Sequence, residues 1–481
     1  MPSWFAPPHA VEGFPMIPNP KFGLGHAGIM MSDNEPFEQQ MKHYSKDHAD
    51  ANGRVCFWMG RIPAVSVSHA RDVQHVLKWS SSREIYPLMK VHFEACLGKR
   101  NIGILSGKEW KAQRNRVVQA LHTAMRQQDV SKAVLQTSET LTNALLQNLS
   151  GNSSVTRDIA PLMRMLALDA FGQAALHVDF SCTKELCLSE VAAAFDHLTE
   201  DMMRRVMTIG GAVDPTSYLY NLPTPRNAAH KKHKSVVREF IEREVEHRRT
   251  HSSEEDRPQD ILTQLLKVKE EHIDEGAETE AMTDTLIALL FAGFETTATT
   301  LTFAFYLISK HPAVEAEILK EVEEHPPTAE SDPSHYPYIE AVLKETLRLY
   351  PPAISTTRSL DKPITLDGTV VPEGTYLYVP IYLVQRDPKH FERPDEFLPT
   401  RWLPGSTLAV HEDGAFVAFS AGARSCPGRR FACLEMTLSV AVLLRSFRFE
   451  AVADYVLEPV RNKMTLEPKG GIPMVITKRI A

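Results

Sequence analysis

A mainly α fold with a small β region is what this 481-residue sequence predicts, and three patterns carry that reading. Apolar spacing is mostly helical from about Lys108 to Thr250. Leu286 to Ile308 is an unbroken apolar run of helical length. Pro363 to Pro380 alternates and carries turn signals at short intervals. Apolar content of 43% and charged content of 23% are those of an ordinary globular protein with ample core. No stretch has the composition of a flexible linker. One large α+β domain over residues 36–481 is therefore expected, after a Pro-rich segment at 1–35.

The elements follow in chain order. Pro2, Pro7, Pro8, Pro15, Pro18 and Pro20 keep the N-terminus extended. No charged region followed by an apolar run precedes them, so neither a secretory signal nor a membrane anchor is expected. Val55–Trp58 and Ala64–Val67 read as a strand pair, and Ala70–Trp79 as a helix. Glu84 to Gly107 is weakly periodic, with Gly98, Gly103 and Gly107, and reads as a loop over a site. Pro215 and the Leu-Pro-Thr-Pro run at 222–225 break the helical region. Asn227 to Arg249 resumes it as a long charged helix, with His230-Lys-Lys-His-Lys on its solvated face. His251 to Pro258 and Glu270 to Thr279 read as polar connectors.

Leu286 to Ile308 is long enough to cross a bilayer. Glu295 and Thr296, Thr297, Thr299, Thr300 and Thr302 would then lie in hydrocarbon, which is costly, so a buried central helix is the expectation. A second amphipathic helix points Ile339, Val342, Leu343, Thr346 and Leu349 inward and ends at Pro351-Pro352. Asp367-Gly368 is expected to close one hairpin and Glu373-Gly374 another.

A net charge of −7 gives no hint of nucleic-acid binding. Cysteines 56, 96, 182, 187, 426 and 433 include no Cys-x-x-Cys pair. That suits a reducing compartment and argues against a disulfide framework or a zinc ribbon. The twenty histidines show no metal-binding spacing either.

One cysteine differs from the rest. Phe419-Ser-Ala-Gly422-Ala-Arg424-Ser-Cys426-Pro-Gly428 sets a thiol in a turn of small residues, just before the helical run Phe431 to Leu444. Unpaired N–H groups and the helix dipole at such a terminus favour the thiolate, the metal-binding form. Gly422 and Gly428 permit backbone shapes, and a closeness to a flat ligand, that a Cβ would obstruct. Arg424 is placed to meet an anionic group on that ligand. A buried structural cysteine would share each feature singly. The whole pattern Phe-x-x-Gly-x-Arg-x-Cys-x-Gly resembles the haem-binding loop of the cytochrome P450 superfamily at every position. The resemblance implies haem b lying between the long central helix and the Cys-loop helix. Cys426 would be its axial metal ligand, with Phe419 and Arg424 among the groups around it.

Four more segments match that family in order. Trp110-x-x-x-Arg114 puts both side chains on one helix face, which the resemblance sets against a haem propionate. In Ala292-Gly293-Phe294-Glu295-Thr296-Thr297, a mid-helix Gly costs about 1 kcal/mol relative to Ala. The resemblance implies that Ala292 and Gly293 open a groove for dioxygen, and that Glu295 and Thr296 relay protons. Threonines bonding back to the previous turn are the structural alternative. Glu345-x-x-Arg348 would be buried with Arg401 as a structural lock on the loop that positions Cys426. Thr400 stands where that loop ordinarily carries a carboxylate. Arg358 would be a further propionate partner beside Arg114 and Arg424.

The implied reaction is monooxygenation: one atom of O2 enters a lipophilic substrate and the other leaves as water. Electrons come indirectly from NADPH through a separate flavoprotein reductase or ferredoxin, because the 55 residues after Cys426 are too few for a flavin domain. Lys108, Lys111, Arg116, Arg429 and Arg430 are the expected docking cations. Pocket walls are expected from Glu84–Ser106, Phe195–Met207, Leu286–Thr300 and Ala353–Thr357. The motifs look most like eukaryotic microsomal enzymes and bacterial fatty-acid hydroxylases, which points to a fatty acid or similar lipid. Ala292 stands where the ω-hydroxylase branch often has Glu, so no ester link to haem is expected. A haem-thiolate isomerase or dehydratase acting on lipid hydroperoxides, and a non-catalytic haem sensor, are the alternatives; both are expected to lack the acid-threonine pair. The expected location is the endoplasmic reticulum surface, by peripheral contact, or the cytoplasm.

Overall fold

Residues 11–18, 42, 45–59, 62–79, 82, 87–126, 129–149, 151–206, 218–250, 258–267, 275–408, 410, 414–461 and 463–479 are described by the computed structural model of this protein. Among them the longer helices are α1 (Ala70–Trp79), α2 (Pro87–Leu97), α3 (Gly107–Arg126), α4 (Asp129–Asn148), α5 (Ile159–Leu176) and α6 (Glu190–Val206). They continue with α7 (Pro225–Thr250), α8 (Glu275–Lys310), α9 (Pro312–Glu324), α10 (Pro337–Leu349) and α11 (Arg429–Ser446). The strands are β1 (Arg54–Met59), β2 (Ile62–Val67), β3 (Ser154–Asp158), β4 (Thr356–Ser359), β5 (Ile364–Leu366), β6 (Thr369–Val371) and β7 (Tyr376–Val379). β8 (Phe447–Ala451), β9 (Pro459–Val460), β10 (Glu467–Pro468) and β11 (Pro473–Lys478) complete the set.

The central apolar helix is 36 residues long and packs most extensively along α5. Both are long and apolar enough to span a bilayer, yet 78% of the most apolar window of the central helix and 83% of that of α5 are buried inside the fold. Their apolar surface is consumed by protein, as expected of core helices. The largest apolar cluster joins α3 to α6, α8 to α11 and the β3–β11–β8 sheet, which the sequence reading did not foresee.

Four strands form the order β1-β2-β7-β4, with β1–β2 antiparallel as expected. Met16 bridges to Cys56, and Val11, Phe14 and Ile17 are buried against this sheet. Asp367 and Gly368 both take positive φ, 50° and 83°, and close the β5–β6 hairpin. The second expected hairpin does not form. Gly374 turns the chain, but β7 pairs with β4 and, in parallel, with β2. A buried central strand needs partners on both edges, and a neighbour in sequence supplies at most one.

Two further expectations fail. Residues 87–97 form a helix rather than a loop, and Gly98 punctuates its end at φ +87°. A Cβ there would stand 2.1 Å from the Asp284 carboxylate, so close approach to α8 demands glycine. Residues 275–279, read as connector, are the first turn of α8. Pro215, residues 251–257 and residues 270–274 lie outside the described residues.

Candidate active site

The loop before α11 presents its thiol through a tight backbone. Gly422 has φ +68°, and a Cβ there would meet the Leu77 carbonyl oxygen at 2.2 Å. This glycine therefore serves close packing on α1, not approach to a ligand. The Cys426 amide donates to the Phe419 carbonyl at 2.9 Å, closing the loop on itself. Cys426 stays accessible although it is deeply set. Burial pushes its thiol up, against the Gly428 N–H and the charges of Arg114 and Arg429. The helix terminus alone does not outweigh desolvation; a cation bound to sulfur would, since a coordinating thiol is deprotonated outright.

Guanidinium groups surround this loop. Arg424 lies over the Trp110 ring at 3.7 Å and donates to the Leu105 carbonyl at 2.8 Å. Arg114 sits 5.8 Å from the same ring and donates to the Ser425 carbonyl at 2.8 Å. Arg358, wholly buried on β4, donates to the Thr357 carbonyl at 2.9 Å and the Ser420 hydroxyl at 3.3 Å. Arg429 lies over Phe419 at 5.6 Å. Residues spread over more than 300 positions of sequence thus converge on one cysteine. A deep thiol in a loop surrounded by four guanidinium groups fits a metal carried by an anionic organic ligand. Cys426 would hold the iron of haem, and Trp110, Arg114, Arg358 and Arg424 its carboxylate edge.

On α8, Ala292 is exposed in the middle of an otherwise buried helix, and Thr296 is half-buried one turn on. The Thr296 hydroxyl donates to the Ala292 carbonyl at 2.8 Å. Gly293 faces elsewhere: a Cβ there would stand 2.3 Å from the Phe171 ring. Its smallness admits α5, whereas Ala292 is the residue that borders open space. Glu295 is buried and does not meet Thr296. Its carboxylate pairs with Arg164 at 2.6 Å and accepts from the Thr465 hydroxyl at 3.1 Å. Burial opposes the charge on Arg164, but Glu295, Asp196 and Glu467 more than offset it and raise its affinity for the proton. Lys463 extends the network to Asp196 at 3.1 Å and Glu467 at 3.0 Å.

The sequence reading missed these partners. Arg164 lies 131 positions from Glu295 and carries no local signal. It also missed Glu435 on α11, which is wholly buried, with neither oxygen hydrogen-bonded by normal geometry. Burial raises this carboxyl well above its ordinary value, opposed by the Thr297 hydroxyl.

Glu345, Arg348 and Arg401 meet as expected. Arg348 makes a two-point contact with Glu345 at 2.9 and 2.8 Å, and Arg401 reaches it at 3.4 Å. The Leu398 amide and the Trp402 indole complete the carboxylate at 3.1 and 2.8 Å. Arg348 also donates to the carbonyls of Gln385, Pro394 and Glu396. Gln385, unforeseen, accepts from the Val417 amide at 2.9 Å and so ties α10 to the Cys loop.

Of the expected docking cations, Lys108, Lys111, Arg429 and Arg430 are exposed. Arg116 is not. It is buried, donates to the Leu265 carbonyl at 3.1 Å and pairs with Glu278 at 3.5 Å. Of the expected pocket walls, residues 84–86 and Met207 lie outside the described residues; Phe195 packs on Phe291 and Phe294 with ring centroids 6.0 and 5.8 Å apart.

A mainly helical fold that sets one deep thiol among guanidinium groups is the layout of a haem-thiolate protein. The chain belongs to the cytochrome P450 family, whose model matches residues 15–474. It is 27% identical to cytochrome P450 4d2 of Drosophila melanogaster, over 91% of this chain and 89% of that protein. It is also 27% identical to leukotriene-B4 omega-hydroxylase 3 of Mus musculus, over 96% and 89%. A pentalenene oxygenase of Streptomyces avermitilis is 33% identical over 60% of this chain and 62% of its own. The protein is a haem-thiolate monooxygenase that takes O2 and a lipophilic substrate, with electrons from a redox partner.

Proposed function

We propose that this enzyme hydroxylates a fatty acid or a similar long-chain lipid, with Cys426 as the residue that would hold the haem iron and Thr296 as the hydroxyl that would donate a proton. The observation that carries the site assignment is that the Cys426 thiol is accessible in the loop before α11, and that Ala292 and Thr296 are accessible in the middle of the mostly buried α8. Haem, when bound, supplies O2 binding and O–O cleavage, which thiolate ligation favours. The chain supplies the rest. Trp110, Arg114, Arg358 and Arg424 orient the cofactor by its carboxylates. The Thr296 hydroxyl, parked on the Ala292 carbonyl, can turn to donate into the groove. Glu295 can hand on a proton only by releasing Arg164 or Thr465, so its part in the relay is gated by that ion pair. Lys108, Lys111, Arg429 and Arg430 dock an acidic reductase or ferredoxin on the cysteine side.

The lipid reading is supported by relatives that span nearly the whole chain, a leukotriene-B4 omega-hydroxylase among them. The endoplasmic reticulum surface is the proposed location, tested by fractionating cells that express the full chain.

The decisive experiment supplies haem, a reductase, NADPH and labelled O2, with hexadecanoate and pentalenene as competing substrates. Label in hydroxylated hexadecanoate, with matching NADPH consumption, is the expected result. Product from a lipid hydroperoxide without NADPH would assign the isomerase class instead. Carbon monoxide binding with no turnover on any lipid would leave a sensor. Preference for pentalenene would overturn the substrate class alone.

A further inference from the structure

The β9–β10 hairpin carries a cation that the assignments above leave unused. Arg461 follows β9 directly and is deeply set, so burial pulls its guanidinium below its ordinary value. Its Nε is buried with no hydrogen-bond partner. No carboxylate among the described residues pairs with it, and Tyr378 is its electrostatic neighbour. Lys463, on the same hairpin, is satisfied by Asp196 and Glu467. The contrast is informative because arginine cannot escape by shedding its proton. An uncompensated buried charge is costly, and a positively charged side chain kept in such a place calls for an anion.

The hairpin's position says where that anion comes from. Thr465 donates to Glu295, beside Thr296, and the Leu466 amide donates to the Pro352 carbonyl at 3.0 Å. The hairpin is thus wedged between the middle of α8 and the 353–357 segment expected to wall the pocket. Tyr378, buried on β7, has its hydroxyl bonded to Ser355 in that segment. Arg461 keeps solvent-accessible surface although protein surrounds it, so a ligand can reach it. Four chain steps separate it from Thr465, at most about 14 Å even when extended. That is within the length of a long acyl chain.

We propose that Arg461 anchors the carboxylate of the substrate, which makes the preferred ligand a lipid acid rather than a neutral lipid. The guanidinium fork matches a carboxylate at two points, with the Tyr378 hydroxyl at its side. This deepens the lipid reading and rests on it.

The test is equilibrium binding to the haem-loaded, full-length protein, read by the iron spin-state change and by calorimetry. The probes are hexadecanoate, hexadecan-1-ol and hexadecylamine, of equal chain length and different head charge. Hexadecanoate is expected to bind roughly 10- to 100-fold tighter than the alcohol, and the amine weaker than the alcohol. Arg461→Gln should bring the acid down to the alcohol and leave the alcohol unchanged, while Arg461→Lys keeps part of the preference. A preference that persists in Arg461→Gln overturns the anchor and leaves the lipid reading standing. So does equal binding of acid and alcohol by the unaltered protein, or binding of the amine as tightly as the alcohol; both need no variant. If none of the three probes binds, the lipid reading itself fails and the anchor with it.

Discussion

Glu345 and Arg461 stand at two deeply set charged sites, one with an ionic partner and one without a carboxylate among the described residues. Glu345 receives hydrogen bonds from Arg348, Arg401, Trp402 and the Leu398 amide, and Arg348 spends its remaining donors on three carbonyls. Glu345 and Arg348 are thereby satisfied within the protein, and although Arg401 leaves Nη1 without an acceptor, its charge is paired with Glu345. Arg461 has a buried donor without an acceptor and no anionic partner among the described residues. Low dielectric strengthens a completed polar network and penalises an incomplete one. A fold that tolerates the second kind holds a place for something else. Glu295 falls between the two: ion-paired like Glu345, yet adjacent to the accessible Thr296.

The comparison is broken most severely at the lock. Glu345→Ala leaves two buried guanidinium groups without their anion, and a loss of about 3–5 kcal/mol is expected. Denaturant titration should show it, with haem no longer retained because the Cys loop is held through Gln385 and Val417. Next comes Thr296→Ala. Its hydroxyl bonds only to the previous turn, so stability should stay within about 0.5 kcal/mol of the parent. Product formed per NADPH should nonetheless fall by about tenfold or more. If both numbers fall together, Thr296 belongs with Glu345 as a structural residue.

Glu435 gives a third effect, through pH. Its pKa is raised in the fold, so folding favours the protonated form. The contribution is fully present below the ordinary carboxyl value and lost as pH rises through the folded one. Glu435→Gln keeps the shape without the titration. The variant should gain on the parent as pH rises above about 4.5, by at most about 1.4 kcal/mol per pH unit. Melting curves at pH 5 and pH 8 check it. The smallest effect is at the surface. Reversing Lys108 and Arg430 should slow reduction by an acidic partner severalfold at low ionic strength and little at high. Arg116, paired with Glu278, should not act in that way.

Much of this was legible in the sequence because it is local. Helical spacing announced α8, α10 and α11. The Gly-Arg-Cys-Gly spelling announced the thiol loop. An i,i+3 pair announced the lock. Where the reading failed, a partner distant in sequence had decided the matter. Gly293 is small because Phe171 lies against it, Glu295 is occupied because Arg164 faces it, and β7 ignores its neighbouring hairpin because β2 and β4 take its edges.

By itself, then, the amino-acid order determined the family and most helices and singled out the thiol loop, since those depend on spacing along one chain. Which polar groups are satisfied and which wait for a ligand was decided only in three dimensions. Burial and partnership are properties of packed surfaces, and residues far apart along the chain meet only once those surfaces exist.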